Sequence, residues 1–194
     1  MNEHNDHHHH HHHDHDHGHH HHHHDHDHEH GRDFDGLDHN HGREVTLEAE
    51  IEAGIKQIWS VLTDNVKIKE WFNELHINEL KAGGSISFLL QDEEIARYLI
   101  TDLEEPHTFG FTWGEDGDSI VNFELEEIDA GTTLLKFSEW VPEVTEHTVK
   151  DVTGWYVCME VIGQIVEGRE PINRPQHFAA AFKEIQVLLA DDLA

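Results

Sequence analysis

VTGWYVCMEVIGQIVEG, residues 152–168, has the pattern of a long amphipathic helix. Val152, Trp155, Met159, Ile162 and Val166 recur at spacings of three and four, and Cys158, Val161 and Ile165 widen the apolar stripe. Glu160, Gln164 and Glu167 mark a wet side. The spacing predicts a helix over about 146–166. A stripe this wide suits a helix lying along a curved sheet rather than at a surface edge. Gly168 is placed to cap its C-terminus. Beyond it, Pro171 and Pro175 break the chain. A last helix, about 176–190, carries Phe178, Phe182, Ile185 and Leu189, and is expected to dock on its own domain rather than form a dimer.

Upstream of the long helix the period changes from 3.6 to 2. Strands are expected over about 74–80, 84–91, 95–103, 107–113, 118–127 and 132–140. Ile86/Phe88/Leu90, Phe109/Phe111/Trp113, Val121/Phe123/Leu125 and Thr133/Leu135/Phe137 carry the alternation. Gly83-Gly84, Glu105-Pro106, Gly114 to Gly117 and Asp129 to Gly131 supply turns. Short consecutive strands with tight turns make an antiparallel meander. Before them, Val45, Leu47, Ala49 and Ile51 alternate with polar residues as a half-buried strand. Ile55, Ile58, Trp59 and Leu62 form a short amphipathic helix, and Ile68, Trp71 and Phe72 a second. The first strand has no hairpin partner next in sequence, so it joins the sheet elsewhere. The fold class is α+β: a curved antiparallel sheet wrapped around a long C-terminal helix, with two short helices after strand one. Such an arrangement can leave an apolar cavity between sheet and helix.

This order of elements resembles the helix-grip superfamily of START-like and Bet v 1-like (SRPBCC) proteins, and within it the homologues of the activator of heat shock protein 90 ATPase. Three segments carry the resemblance: IEAGIKQIWSVLTD (residues 51–64) followed by IKEWF (68–72), KAGGSISF (81–88), and VTGWYVCMEVIGQIVEGREP (152–171). It spans about residues 43–175. The resemblance implies a helix-grip fold, but only a broad choice of function, because members include lipid carriers, cyclases, ligand sensors and co-chaperone domains. The organisation expected is a His/Asp-rich tail over 1–42, a helix-grip domain over 43–170, and an extension with an amphipathic helix over 171–194.

Charge narrows the partners. The formal net charge is −29. Residues 1–42 carry ten acids and one base, and residues 43–194 carry 31 acids and 11 bases. A chain this acidic repels nucleic-acid phosphates and anionic membranes, so no nucleic acid is expected. No apolar run approaches the ~20 residues needed to span a bilayer. Cys158 is the only cysteine, which excludes an intramolecular disulfide, and its apolar surroundings read as a small buried hydrophobe. No basic region followed by an apolar run marks a secretory leader. A cytoplasmic protein is expected.

The first 42 residues hold 21 of the 25 histidines. One run is His7, His8, His9, His10, His11, His12 and His13; the other is His19, His20, His21, His22, His23 and His24. His15, His17, His26, His28 and His30 alternate with acids. Neutral imidazole suits nickel, zinc and copper(II), and interleaved carboxylates add oxygen ligands or orient the rings. The tail is therefore expected to bind divalent transition metal, although a passive low-complexity repeat has the same composition. The domain itself is expected to require no cofactor.

Within the domain, Trp71, Phe88, Tyr98, Trp113, Phe123, Phe137 and Trp155 are candidates to line a ligand cavity, or else to form the core. Glu139 continues the inward register of Thr133, Leu135 and Phe137, so it either enters the interior or ends the strand at the rim. His76, His107, His147 and His177 share no metal-ligand spacing and read as surface or cap residues, with His147 able to top a cavity. No nucleophile elbow or phosphate loop assigns a catalytic residue. The leading expectation is a non-enzymatic protein binding a hydrophobic small molecule or a protein partner. A co-chaperone-like module that stimulates a chaperone ATPase, and a small cyclase- or hydrolase-like enzyme, are the alternatives.

Overall fold

A computed structural model of the chain describes residues 42–193. The described elements are β1 (Arg43–Ile51), α1 (Ile55–Thr63), α2 (Asn65–Trp71), β2 (Leu75–Ile77), β3 (Ser85–Leu90), β4 (Glu93–Glu104), β5 (Thr108–Trp113), β6 (Ser119–Asp129), β7 (Thr132–Val141), α3 (Glu146–Glu167) and α4 (Arg174–Leu188). Among the described residues, seven strands form one sheet in the order β1-β7-β6-β5-β4-β3-β2, with every pair antiparallel. The six later strands are a meander. β1 pairs with β7 from Arg43↔Val141 to Ile51↔Thr133, which is how the first strand enters the sheet. Register shifts in β3/β4, β4/β5 and β6/β7 bend the strands, and the sheet curves around α3. The architecture is the helix-grip α+β fold.

α3 is the centre of the core. Thr145 caps it, its Oγ1 accepting from the His147 and Thr148 amides at 3.2 and 3.4 Å. Gly168 ends it with φ of 64°, a left-handed conformation that a side chain would strain. Val152, Trp155, Met159 and Ile162 are buried against the sheet. The side expected to be wet is partly covered: Gln164 is buried, and α4 packs along α3. Ala181, Ile185 and Leu189 of the α4 region join Val141, Val144, Val149 and Val152 in a second apolar cluster. Arg174 at the start of α4 donates through Nη1 to the Trp71 carbonyl at 3.2 Å, and through Nη2 to that of Glu70. It thereby ties the last helix to the end of α2.

Two local expectations change. Pro175 does not break the chain but lies in the first turn of α4, where its missing N–H has no intrahelical acceptor to lose. The predicted strand over 74–80 shrinks to Leu75–Ile77, at whose end the Asn65 side chain takes the Ile77 amide and carbonyl at 2.8 and 2.9 Å.

The β3–β4 hairpin turns through Gln91 and Asp92, both at positive φ (52° and 66°), without a glycine. Asparagine-glycine is the usual occupant of such a turn. Asp92→Gly is expected to stabilise the fold by about 0.5–1 kcal/mol, since a left-handed non-glycine residue costs roughly 1–2 kcal/mol. Urea unfolding of parent and variant checks this, and a lower midpoint for the variant contradicts it.

Candidate functional site

A cleft of about 360 Å³ opens where the β5–β6 turn, the end of β7 and the first turns of α3 meet. Local sequence rules place its side chains. The period of two along β7 puts Thr133, Leu135, Phe137 and Glu139 on the inner face, each 0–1% exposed. Glu139 thus inherits an interior position from a register set by apolar residues. The Thr145 cap starts α3 so that His147 and Asp151, four residues apart, share a helix face. Their side chains meet at 3.2 Å between Nε2 and Oδ2. Glycines 114 and 117, at φ of 91° and 68°, shape the turn that brings Asp116 and Asp118 to the opposite wall.

The electrostatics of this cleft are unusual. Glu139 Oε2 is buried and accepts no hydrogen bond among the described residues. Burial, and then the neighbouring Asp151 charge, push the Glu139 carboxyl up to about 8. Asp151 is itself raised by burial, against the opposing pull of His147 and the Trp113 indole. The Trp113 Nε1–H makes no hydrogen bond of good geometry, yet lies near enough to favour the charged Asp151. Burial and Asp151 also raise the Tyr98 phenol. Two carboxyls that cannot both ionise without repulsion therefore share one corner, and Glu139 largely keeps its proton at neutral pH.

The aromatic candidates converge elsewhere. Trp155 is 2% exposed, and its ring lies 5.0 Å from Trp113, 5.3 Å from Phe137 and 5.9 Å from Phe123. Trp71 stands edge-on to Phe123 at 6.1 Å, and its Nε1 donates to the Val61 carbonyl at 2.9 Å. Tyr98 lies against Trp113 at 4.9 Å, and Phe88, half-buried, against Trp113 at 6.0 Å. The seven rings pack on one another between sheet and helix. Of the eight candidates, Glu139 lines the cleft. Sequence reasoning missed Phe72, which touches Trp71, Phe88, Trp113 and Trp155. It also missed Asp151, whose signal was its position one turn before Trp155 on the apolar face.

His107, His177 and the cysteine are held singly. His107 Nδ1 lies 3.2 Å from the Leu125 carbonyl, and His177 Nδ1 lies 4.0 Å from Glu160. Cys158 turns its thiol toward the Trp71 carbonyl, and burial pushes it up to about 12. Among the described residues no three His, Cys, Asp or Glu side chains converge on a metal position. The metal candidates of the tail, from His7 to His30, lie outside the described residues.

Glu139 makes stability depend on pH. The folded chain holds this proton up to about pH 8, whereas the unfolded chain releases it near 4.5. Between those values the folded state binds more protons. The stability contribution is thus complete below about 4.5 and is lost as pH rises toward 8, by at most about 1.4 kcal/mol per pH unit. Glu139→Gln removes this slope. Relative to the parent, it is expected to gain on the order of 2–4 kcal/mol between pH 5 and pH 8.5 in urea unfolding. Parallel stability profiles for the two proteins would refute the assignment.

Comparison with known proteins places this geometry in a family. Residues 52–167 match the family described as Activator of Hsp90 ATPase homolog 1-like protein. No curated protein matches the chain. Among solved structures, the conserved protein of unknown function EF2215 from Enterococcus faecalis is 32% identical, with a TM-score of 0.64, over 77% of this chain and 88% of that one. CalU16 from Micromonospora echinospora is 22% identical, with a TM-score of 0.62, over 76% and 89%. The Aha1 dimer from Colwellia psychrerythraea is 20% identical, with a TM-score of 0.55, over 64% and 96%. No described helix is long and apolar enough to cross a membrane. On the extent of the family match and the likeness to EF2215, the chain belongs to the Activator of Hsp90 ATPase homolog 1-like family.

Proposed function

We propose that this chain is a non-enzymatic, cytoplasmic binding protein. Its helix-grip domain takes a small molecule with an apolar body at the cleft, and its histidine-rich tail holds nickel, zinc or copper(II). One observation carries the domain reading: a buried carboxyl without a hydrogen-bond partner lies at the floor of an open cleft. Leaving such a group unmet costs about 1–3 kcal/mol or more, and a ligand donor would recover it. Val141 and Pro142 on the same wall offer apolar contact. The aromatic cluster behind the cleft gives the site a rigid back. The volume lies at the small end of ligand sites, which run from about 300 to 1,000 Å³. A screen of compounds of modest size, read by the amide signals of residues 114–119 and 139–151, tests this. Saturable shifts confined to those segments are expected, and a library that leaves them unmoved would remove the reading.

The family description favours a second reading, in which the domain docks on a chaperone of the Hsp90 type. It requires that ATP turnover by a purified Hsp90 change on adding this chain. Unchanged turnover at saturation excludes it.

For the tail, the support is compositional: 21 histidines interleaved with carboxylates supply neutral nitrogen ligands in large excess. Metal must displace protons from imidazoles that titrate near pH 6.5. Bound nickel per chain is therefore expected to fall steeply between pH 7 and pH 5.5 in equilibrium dialysis. Removal of residues 1–42 is expected to abolish most of the binding and to alter growth of the host under metal excess or limitation. Growth that is the same with and without the tail for every metal would leave it a passive repeat.

A further inference from the structure

The acidic cleft has a composition that selects its ligand by charge. Six of its lining residues are carboxylic acids: Glu115, Asp116, Asp118, Glu139, Glu143 and Asp151. No lysine or arginine lines it, and its one histidine, His147, is held by Asp151. An acid cluster on a surface is ordinarily solvated and needs nothing. Here the floor differs, because Glu139 is 1% exposed and its Oε2 is an acceptor without a donor. Asp151, with a side chain 23% exposed, is the neighbouring carboxylate that still meets solvent. Its charge is near enough to disfavour ionisation of Glu139. With Glu139 protonated and Asp151 charged, the pair offers one negative charge beside a buried carboxyl oxygen without a partner, which a single positive group carrying N–H donors would satisfy.

We infer that the cleft is a site for a small organic ammonium ion, its N–H groups directed to Asp151 and Glu139 and its compact apolar body against Val141 and Pro142. This deepens the small-molecule reading above and rests on it. An ammonium nitrogen fits better than a metal ion. It carries up to three donors and needs no converging set of ligands, and no such set exists among the described residues. The acidic rim, from Glu115 to Asp118 on one side and Glu143 on the other, adds long-range attraction for cations.

Three probes of similar size separate the possibilities: 2-phenylethylammonium, 2-phenylethanol and phenylacetate. They are titrated into the full-length chain in the presence of a chelator, with the amide signals of Ser119, Glu139 and Asp151 as readout. The ammonium is expected to saturate those signals with an affinity about tenfold or more above that of the alcohol, and phenylacetate to leave them unmoved. Glu139→Gln and Asp151→Asn are each expected to remove most of the preference of the ammonium over the alcohol. Retained thermal unfolding transitions show that the variants are folded, and the comparison among probes on the parent needs no variant at all. Equal affinity for alcohol and ammonium overturns the ammonium inference and leaves the small-molecule reading standing. So does a preference that survives in both variants, or a stronger response of the same signals to zinc without chelator. Absence of binding by all three probes overturns both.

Discussion

The burial of the α3 stripe against the concave face of the sheet is the constraint on which the other features rest. Trp155 is its centre. Removing a tryptophan ring from water contributes roughly 4–6 kcal/mol, and each edge-to-face aromatic neighbour adds about 0.5–1.5 kcal/mol. Trp155 has Phe72, Phe111, Trp113, Phe123 and Phe137 around it, drawn from α2's end and from β5, β6 and β7. A single side chain thus joins elements that lie far apart in sequence. The curvature of the sheet follows from the same demand, since strands on both sides must reach one helix. The bulged registers allow that bend.

Glu139 is best understood as a consequence of this packing. β7 lies between β1 and β6, and its inner face is turned toward α3, where Phe137 meets Trp155, so that face is buried along most of its length. The residue that follows Thr133, Leu135 and Phe137 in that register is buried whatever its chemistry. A leucine at position 139 would have continued the core. A carboxylic acid there sits where its charge is penalised, beside Asp151 and beneath an open cleft. Groups held against their ordinary protonation preference often mark sites that act on something else. The remaining acids of the cleft are on turns and on the first turns of α3, where substitution has little bearing on the core.

The outer helix plays a different part. α4 lies outside the span that matches the family, yet it covers one side of α3 and completes a second apolar cluster. Arg174 bonds to the Trp71 and Glu70 carbonyls at the end of α2, the first of which also faces the Cys158 thiol. The extension is therefore part of the packing around the long helix, and it also explains why Gln164 is buried on a side whose composition reads as polar.

The periodicities of the chain determined a good deal by themselves. The 3.6-residue stripe from Val152 to Val166, the alternation in β5 to β7 and the glycine turns were enough for the element order and for a curved antiparallel sheet around a long C-terminal helix, and the resemblance of three segments implied the helix-grip class. The same alternation made Glu139 an inward candidate. Local pattern was silent where the answer depended on partners. The Gln91-Asp92 turn has no glycine to announce it, and the last residue of β2 is bonded by the Asn65 side chain from another element. Pro175 reads as a break until its place in the first turn of α4 is known. The seven aromatic candidates could be named, but a strand pattern says only which face a ring occupies, not which rings fill the space behind it. Nor could it say that Glu139 and Asp151, on different elements, meet at one end of the helix. Period and register are properties of neighbouring residues. The pairing of β1 with β7, the docking of α4 and the convergence of the acid pair depend on how a bent sheet closes on one helix, and only the tertiary structure decided those.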